Sequence, residues 1–335
     1  VLFDFDGDGD DDVFFVDGGP LPGYTGEPPR SRLFRNDGAR FVDVTRRAGL
    51  EIRGFGEGAV AGELDNDGDL DLFVTCLRDN ELWRNRGDGT FTSVSAELPP
   101  TDPVWSTSSS FSDVDRDGDL DLYVANYIDA QIDNEEPCAD RGIPIYCHPG
   151  TYTGVPDVFY RNRGDGRLEV ATPEAGLVPG EHMAGLGVVF GDLDNDGWPD
   201  LYVANDSEPN FLFHNQGDGV FEEVGFLWGT AISERGMVEA GMGVDLGDVD
   251  GDGFFDIVVT NFARETNALY RNTGRQVFID SRFPLNIAES SLLYLAFGVA
   301  FVDLDHDTDL DLVIANGHVM DNAERFPGGI TSAQR

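Results

Sequence analysis

Between residues 185 and 224 the apolar and polar positions fall into four short runs divided by turn residues. Gly185-Leu186-Gly187-Val188-Val189-Phe190 is apolar throughout and predicts a first strand, which enters an acidic loop directly. Leu201-Tyr202-Val203-Ala204-Asn205, β-branched and aromatic, predicts a second strand that ends on a polar residue. Leu212-Phe213-His214-Asn215 predicts a third, Gln216-Gly217-Asp218-Gly219 a hairpin turn, and Phe221-Glu222-Glu223-Val224 a fourth. The last two strands recur as Leu33-Phe34-Arg35-Asn36 before Phe41, Leu82-Trp83-Arg84-Asn85 before Phe91, Phe159-Tyr160-Arg161-Asn162 before Leu168, and Leu269-Tyr270-Arg271-Asn272 before Phe278.

The acidic loop between the first two strands recurs as well. Six copies start at Asp4, Glu63, Asp113, Asp192, Asp248 and Asp303, at intervals of 59, 50, 79, 56 and 55 residues. A four-stranded blade takes roughly 40 to 50 residues, so the period predicts an all-β fold, a β-propeller of four-stranded blades. About five and a half to six blades are visible, because no third and fourth strand follows the sixth loop before Arg335. The repeat runs through residues 1–335, which predicts one propeller domain with an insertion at about 127–157.

Each loop predicts a calcium site. Carboxylates stand at positions 1, 3, 5 and 9: Asp4, Asp6, Asp8 and Asp12; Glu63, Asp65, Asp67 and Asp71; Asp113, Asp115, Asp117 and Asp121. The remaining three sets are Asp192, Asp194, Asp196 and Asp200; Asp248, Asp250, Asp252 and Asp256; Asp303, Asp305, Asp307 and Asp311. Calcium takes six to eight hard oxygens, which such side chains, a backbone carbonyl and water supply, and a cation relieves the repulsion of crowded carboxylates. An EF-hand would need Glu at position 12 and flanking helices, and neither is present. Magnesium suits a flexible many-carboxylate loop less well. Loop six carries Thr308 where the others have glycine, and loop two carries Glu63 for Asp, so these two sites are expected to bind most weakly.

The composition limits the partners. The formal charge is −41, and 29 of the 63 carboxylates lie in the six loops. Six bound divalent ions leave a strongly negative surface that repels nucleic acid and anionic membranes. Hydrophobic residues at 40% with 24 Phe suffice for packed sheets. No apolar run reaches the roughly 18 residues of a membrane span. The chain opens on Val1-Leu2-Phe3 straight into the first loop, as expected of a mature or excised segment. Cys138 and Cys147 lie close together in the insertion and are expected to form a disulfide, the alternative being two free thiols; Cys76, at a strand end without a neighbouring cation, is expected to be inert.

These hairpins and loops resemble the FG-GAP, or VCBS, repeats of integrin α propellers and bacterial secreted proteins, with Phe55-Gly56-Glu57-Gly58 as the Phe-Gly-x-Gly element. Tyr146-Cys147-His148-Pro149, Glu239-Ala240-Gly241-Met242-Gly243 and the Leu-Phe-x-Asn-x-Gly-Asp-Gly hairpins are similar to those of bacterial members of the cartilage acidic protein family. The resemblance implies a seven-bladed propeller, often with a small C-terminal domain, that is secreted, periplasmic or on the cell surface. It also implies extracellular binding or adhesion, with a protein or glycan as partner.

A binding face is expected at the end of the blades opposite the calcium loops, where the insertion emerges. Thirteen residues after the loop starts stand Asp17, Cys76, Asn126, Asn205, Asn261 and Asn316. The amides read either as caps of their own turns or as a polar ring; the second reading joins Asn126, Asn205 and Asn261 with Asp206, Glu208, Glu239, Glu265 and His318 as ligand-binding candidates. Arg86-Gly87-Asp88 and Arg163-Gly164-Asp165 spell an attachment tripeptide, but both fall on the hairpin turn. His148, His182, His214, His306 and His318 are dispersed without metal-ligand spacing; His214 and His306 are expected at the surface, and His148 is the strongest acid–base or ligand candidate among them. No nucleophile elbow, phosphate loop or dinucleotide fingerprint appears. The leading expectation is a calcium-stabilised binding or scaffold protein. The alternatives are a carbohydrate lyase or dehydratase with a propeller-bound metal, and a structural subunit of a larger envelope assembly.

Overall fold

The computed structural model describes residues 1–19, 29–129, 138–140, 142–178, 183–320 and 325. His182 and the middle of the insertion lie outside them. Two compact units partition the chain: residues 1–127 with 156–175, and residues 128–155 with 176–335.

In the first unit, blade one is β1 (Leu2–Phe3), β2 (Asp12–Phe15), β3 (Arg32–Asn36) and β4 (Phe41–Asp43). Blade two is β5 (Phe55–Gly62), β6 (Asp71–Arg78), β7 (Glu81–Asn85) and β8 (Phe91–Ser93). Blade three starts with β9 (Val104–Ser112) and β10 (Asp121–Asn126). The insertion follows with its own hairpin, β11 (Cys138–Asp140) and β12 (Ile143–Ile145), and belongs to the second unit. Blade three then closes with β13 (Val158–Asn162) and β14 (Leu168–Val170).

In the second unit, blade four is β15 (Gly185–Gly191), β16 (Asp200–Asn205), β17 (Phe211–Asn215) and β18 (Phe221–Glu223). Blade five is β19 (Val244–Gly247), β20 (Asp256–Val259), β21 (Ala268–Asn272) and β22 (Phe278–Asp280), and β23 (Ala296–Val302) pairs with β24 (Asp311–Asn316). Every blade is an antiparallel meander, and β6 also pairs with β9 through Leu77 with Trp105 and Arg78 with Val104. The all-β, four-stranded blades expected from the sequence are therefore present.

The second strand of the blade is the buried one. β10, β16 and β20 are buried at every residue, because a strand covered on both faces loses the polar alternation of a surface strand. Cores form between successive sheets: Phe14 and Leu33 pack with Leu72, Val74 and Trp83; Phe73 and Leu82 with Leu122, Val124 and Tyr160; Tyr202 and Leu212 with Ile257, Val259 and Tyr270.

A buried asparagine ends the third strand and fixes each loop to its surroundings. Asn85 donates its amide to Leu70 O of its own blade (3.2 Å) and to Phe5 O of the preceding acidic loop (2.9 Å). Asn162 does the same to Leu120 O (3.2 Å) and Leu64 O (2.8 Å), and Asn272 to Phe255 O (3.1 Å) and Leu193 O (2.7 Å). The Oδ1 atoms accept Gly87, Gly164 and Gly274 N–H, shaping the hairpin turn. One side chain thus ties two acidic loops and a turn. Asn162→Ala should cost about 3 kcal/mol, since it orphans one buried and one half-buried carbonyl, whereas Asn36→Ala, whose amide reaches only the exposed Asp11 O, should cost less than half as much. Urea denaturation showing equal losses would refute the stapling role.

Candidate functional site

The six acidic loops share one backbone. Positions 4 and 6 are left-handed: Asn66, Arg116 and Asn195 have φ near 60° and Gly68, Gly118 and Gly197 φ of 96°, 96° and 91°. Thr308 takes φ 78° at position 6 of loop six, so a β-branched residue does sit where the other loops place glycine. The position-1 carboxylate closes the turn from inside: Asp4 Oδ1 accepts Gly7 N–H at 2.9 Å and Asp4 Oδ2 accepts Gly9 N–H at 2.8 Å. Asp192, Asp248 and Asp303 repeat the bond to position 6 at 2.8, 2.9 and 3.0 Å, and Glu63 makes it to Gly68.

This folding brings acidic oxygens together. In Asp4, Asp6 and Asp8, in Glu63, Asp65 and Asp67, in Asp113, Asp115 and Asp117, and in Asp192, Asp194 and Asp196, one oxygen per residue lies within 4.8 Å of the others. Asp6, Asp65 and Asp115 each keep a buried Oδ1 without a hydrogen-bond partner, as does Asp71 Oδ2. In loop four the matching Asp194 Oδ1 accepts Asp196 N–H at 3.2 Å.

The position-9 aspartates take a second part that the sequence reading missed. Five of the six are buried, and their Oδ1 accepts the backbone N–H of the third-strand asparagine: Asp12 from Asn36 (2.7 Å), Asp71 from Asn85 (2.8 Å), Asp121 from Asn162 (2.8 Å), Asp200 from Asn215 (2.9 Å) and Asp256 from Asn272 (2.7 Å). Asp311 lies on β24, where only Leu304 N–H is seen on its Oδ2, at 3.1 Å. Burial pushes Asp71 and Asp121 up to about 7 and Asp200 and Asp256 up to about 6; a cation beside them would hold them ionised.

The third-strand arginine is another group that sequence left unassigned. Arg84 and Arg161 reach Asp65 and Asp115 at position 3 at 2.6 and 2.7 Å, and Arg271 reaches Asp250 at 3.3 Å. His214 fills this slot in blade four, with Nδ1 2.9 Å from Asp200 Oδ1 and Nε2 3.9 Å from Asp194 Oδ2. The expectation of a surface His214 is corrected: an imidazole shorter than arginine is drawn inward against two loop carboxylates. His306, at position 4 of its loop, is exposed.

At the other end of the blades, the amides at Asn126 and Asn205 do not line an open ring. Both are buried, with Nδ2 donating to Pro156 O (2.6 Å) and Pro209 O (2.8 Å), as the capping reading has them and not as an exposed polar ring. Their backbone N–H groups are received by Asp157 Oδ1 (2.7 Å) and Asn210 Oδ1 (2.8 Å), side chains just ahead of the third strand; Asn80 serves Cys76 and Asn267 serves Asn261 alike. Cys76 is buried, and burial pushes its thiol up to about 12, which keeps it inert. Cys138 and Cys147 form the expected disulfide, with Cα atoms 5.1 Å apart. Asp206, Glu239 and Glu265 gather in the second unit near Asn261; Glu208 is half-buried, and His318 packs edge-on to Phe262.

His148 Nε2 stands 3.4 Å from Ser207 Oγ, but its Nδ1 accepts Gly150 N–H at 3.1 Å. Nδ1 is therefore taken as an acceptor, which leaves Nε2 to carry a proton toward the serine, so the pair is not a nucleophile with its base. No described helix is long and apolar enough to cross a membrane.

A family model for FG-GAP-like repeats matches residues 4–74, 64–124, 153–203, 192–259 and 248–314. The chain belongs to the FG-GAP-like repeat family. Cartilage acidic protein 1 of Mus musculus is 30% identical over 164 residues, covering 48% of this chain and 24% of the relative. The Homo sapiens protein is 30% identical over 167 residues, covering 48% and 23%. This FG-GAP-like chain thus spans about a quarter of the length of the curated relatives it matches. An Agrocybe aegerita lectin structure, described as recognising non-reducing terminal N-acetylglucosamine, superposes with a TM-score of 0.47 at 17% identity over 83% of this chain and 63% of that one.

Asp157 offers a clean test of the buried turn ends, because it stands where blades four and five carry neutral Asn210 and Asn267. Burial pushes its carboxyl up to about 7, against bonds from Asn126 N–H and Tyr123 OH that pull it down. An unfolded Asp titrates near 3.9, so between about pH 4 and 7 the native state binds the extra proton and this group's contribution to stability grows as pH falls. Asp157→Asn should raise the urea midpoint at pH 8, with the gain shrinking toward pH 4; a pH-independent difference would refute this.

Proposed function

We propose that this chain is a calcium-stabilised extracellular scaffold that binds a protein or glycan partner. The observation that carries the calcium reading is the convergence of acidic oxygens at loop positions 1, 3 and 5, together with buried oxygens on Asp6, Asp65, Asp115 and Asp71 that accept no hydrogen bond in the protein. Desolvating an ionised oxygen without a partner costs several kcal/mol, and a hard divalent ion is the ligand that a set of carboxylates alone satisfies. Positions 1, 3, 5 and 9 would hold the ion, which supplies positive charge and ties the first two strands of each blade. The third-strand arginine leaves room for this role at position 3, since it bonds Oδ2 and not Oδ1 of Asp65 and Asp115.

The extracellular reading is supported by the Cys138–Cys147 disulfide, which persists in oxidising compartments, and by the similarity to cartilage acidic protein 1. The binding reading is supported by the division of labour within the blade. One end is occupied by acidic loops, while the other carries the disulfide-bonded insertion and an unevenly neutralised group of carboxylates.

Calorimetric titration of chelator-treated protein with calcium should show several sites of unequal affinity, with loops two and six weakest, and the melting temperature should rise with occupancy. Glu63→Gln and Asp303→Asn should each remove heat from the weak phase only. Six identical sites would refute the ranking, and an unchanged melting temperature would refute the stabilising role.

A further inference from the structure

Three blades end the second strand, or the residues just after it, with an asparagine whose groups follow one scheme. The backbone N–H goes to the side chain ahead of the third strand, Nδ2 goes to a nearby carbonyl, and Oδ1 accepts from the start of the blade. Asn126 Oδ1 takes Ser106 Oγ at 2.7 Å, and Asn205 Oδ1 takes Ala184 N–H at 3.4 Å. Asn261 keeps the first two bonds, to Asn267 Oδ1 (2.9 Å) and Thr266 O (2.8 Å), but its Oδ1 has no partner although the residue is 1% exposed. Ala240, which precedes Gly241-Met242-Gly243 as Ala184 precedes Gly185-Leu186-Gly187, gives its N–H to Glu265 Oε2 at 2.8 Å instead. Rotating the amide would not help, because Nδ2 faces two acceptors, Thr266 O and Glu239 Oε2, the latter at 3.5 Å.

The orphaned acceptor lies beside negative charge. Arg282, 1% exposed, is held by Glu239 at 2.6 and 2.8 Å and by Asp280 at 2.9 Å, so one guanidinium is shared by these two carboxylates. Glu265 is pushed up first by burial and then by Glu239 and Asp206, while His148 pulls it down, which places all four groups within electrostatic reach. Asn261 Oδ1 needs a donor, and its acidic surroundings favour a donor that is positively charged.

We propose that Asn261, Glu265 and Glu239, with Asp206 at the rim, form a site for a cationic nitrogen group, the ammonium or guanidinium of a lysine or arginine side chain on a protein partner. The inference deepens the binding-scaffold reading and rests on it. A guanidinium is already bound by this chemistry at Arg282, and a carboxylate oxygen accepts more than one N–H, so Glu239 serves both cations. A metal ion would have to displace the paired N–H groups of Arg282 from Glu239. The charge of −41 adds long-range attraction for a basic partner.

The test titrates calcium-saturated protein with Nα-acetyl-arginine amide and Nα-acetyl-lysine amide, using Nα-acetyl-citrulline amide as the neutral isostere, followed by NMR shifts of residues around Asn261. Saturable binding of the cationic probes is expected, at least about tenfold weaker for citrulline and about tenfold weaker in Glu265→Gln. Glu265→Gln retains an oxygen for Ala240 N–H and so tests the charge even if Asn261→Ala fails to fold. Equal binding of citrulline, no effect of Glu265→Gln, no saturable binding, or displacement of the probes by manganese at fixed calcium would each overturn the proposal. Calcium content measured on the same samples separates loss of this site from failure of the calcium scaffold.

Discussion

A buried carboxylate at the end of five of the six acidic loops holds the blade together. Asp12, Asp71, Asp121, Asp200 and Asp256 receive the backbone N–H of the third-strand asparagine, while Asp12, Asp200 and Asp256 also accept the N–H of loop position 2, at 3.1, 3.0 and 3.0 Å. The loop, the second strand and the third strand therefore meet on one side chain. The asparagine it grips then sends its amide to the preceding loop, so the strain or order of one acidic loop reaches the next blade within the same unit. Burial of so many carboxylates is tolerable only with strong hydrogen bonds and opposite charge nearby, which accounts for the arginine at the position-3 oxygen.

The two ends of the blade solve the polar-burial problem differently. At the loop end the solution is ionic: carboxylates with arginine and, as proposed above, calcium. At the other end asparagine amides close turns in blades three, four and five, and in blade five the buried Arg282 is paired with Glu239 and Asp280. The two exceptions carry the most information. Asp157 puts a carboxyl where an amide would do, and Asn261 keeps an acceptor that no donor reaches.

Much of this was legible in the sequence. The strand order, the loop positions and the hairpin turns follow from local periodicity and glycine placement, and the tripeptides at Arg86 and Arg163 do fall on turns, with Gly87 and Gly164 at φ 66° and 85°. The Cys138–Cys147 bridge was also legible, because its cysteines are close in sequence. The partners of side chains were not. His214 looked like a surface residue because it takes the slot that arginine fills in the other third strands, and only the fold shows Asp200 behind it. The asparagines ending the second strands looked able to line an opening, because periodicity gives a residue's place on the strand and not the direction of its amide.

The sequence by itself determined the repeat, the all-β blades and the carboxylate spacing, since each depends on residues within one strand or loop. Tertiary structure decided which polar groups meet. Asn85 reaches Phe5 across 80 residues and Asn162 reaches Leu64 across 98, and such pairings arise only when sheets stack. Whether a buried acceptor is satisfied turns on differences of an ångström in where one backbone N–H points, and at Ala240 that direction was set by Glu265 rather than by the repeat.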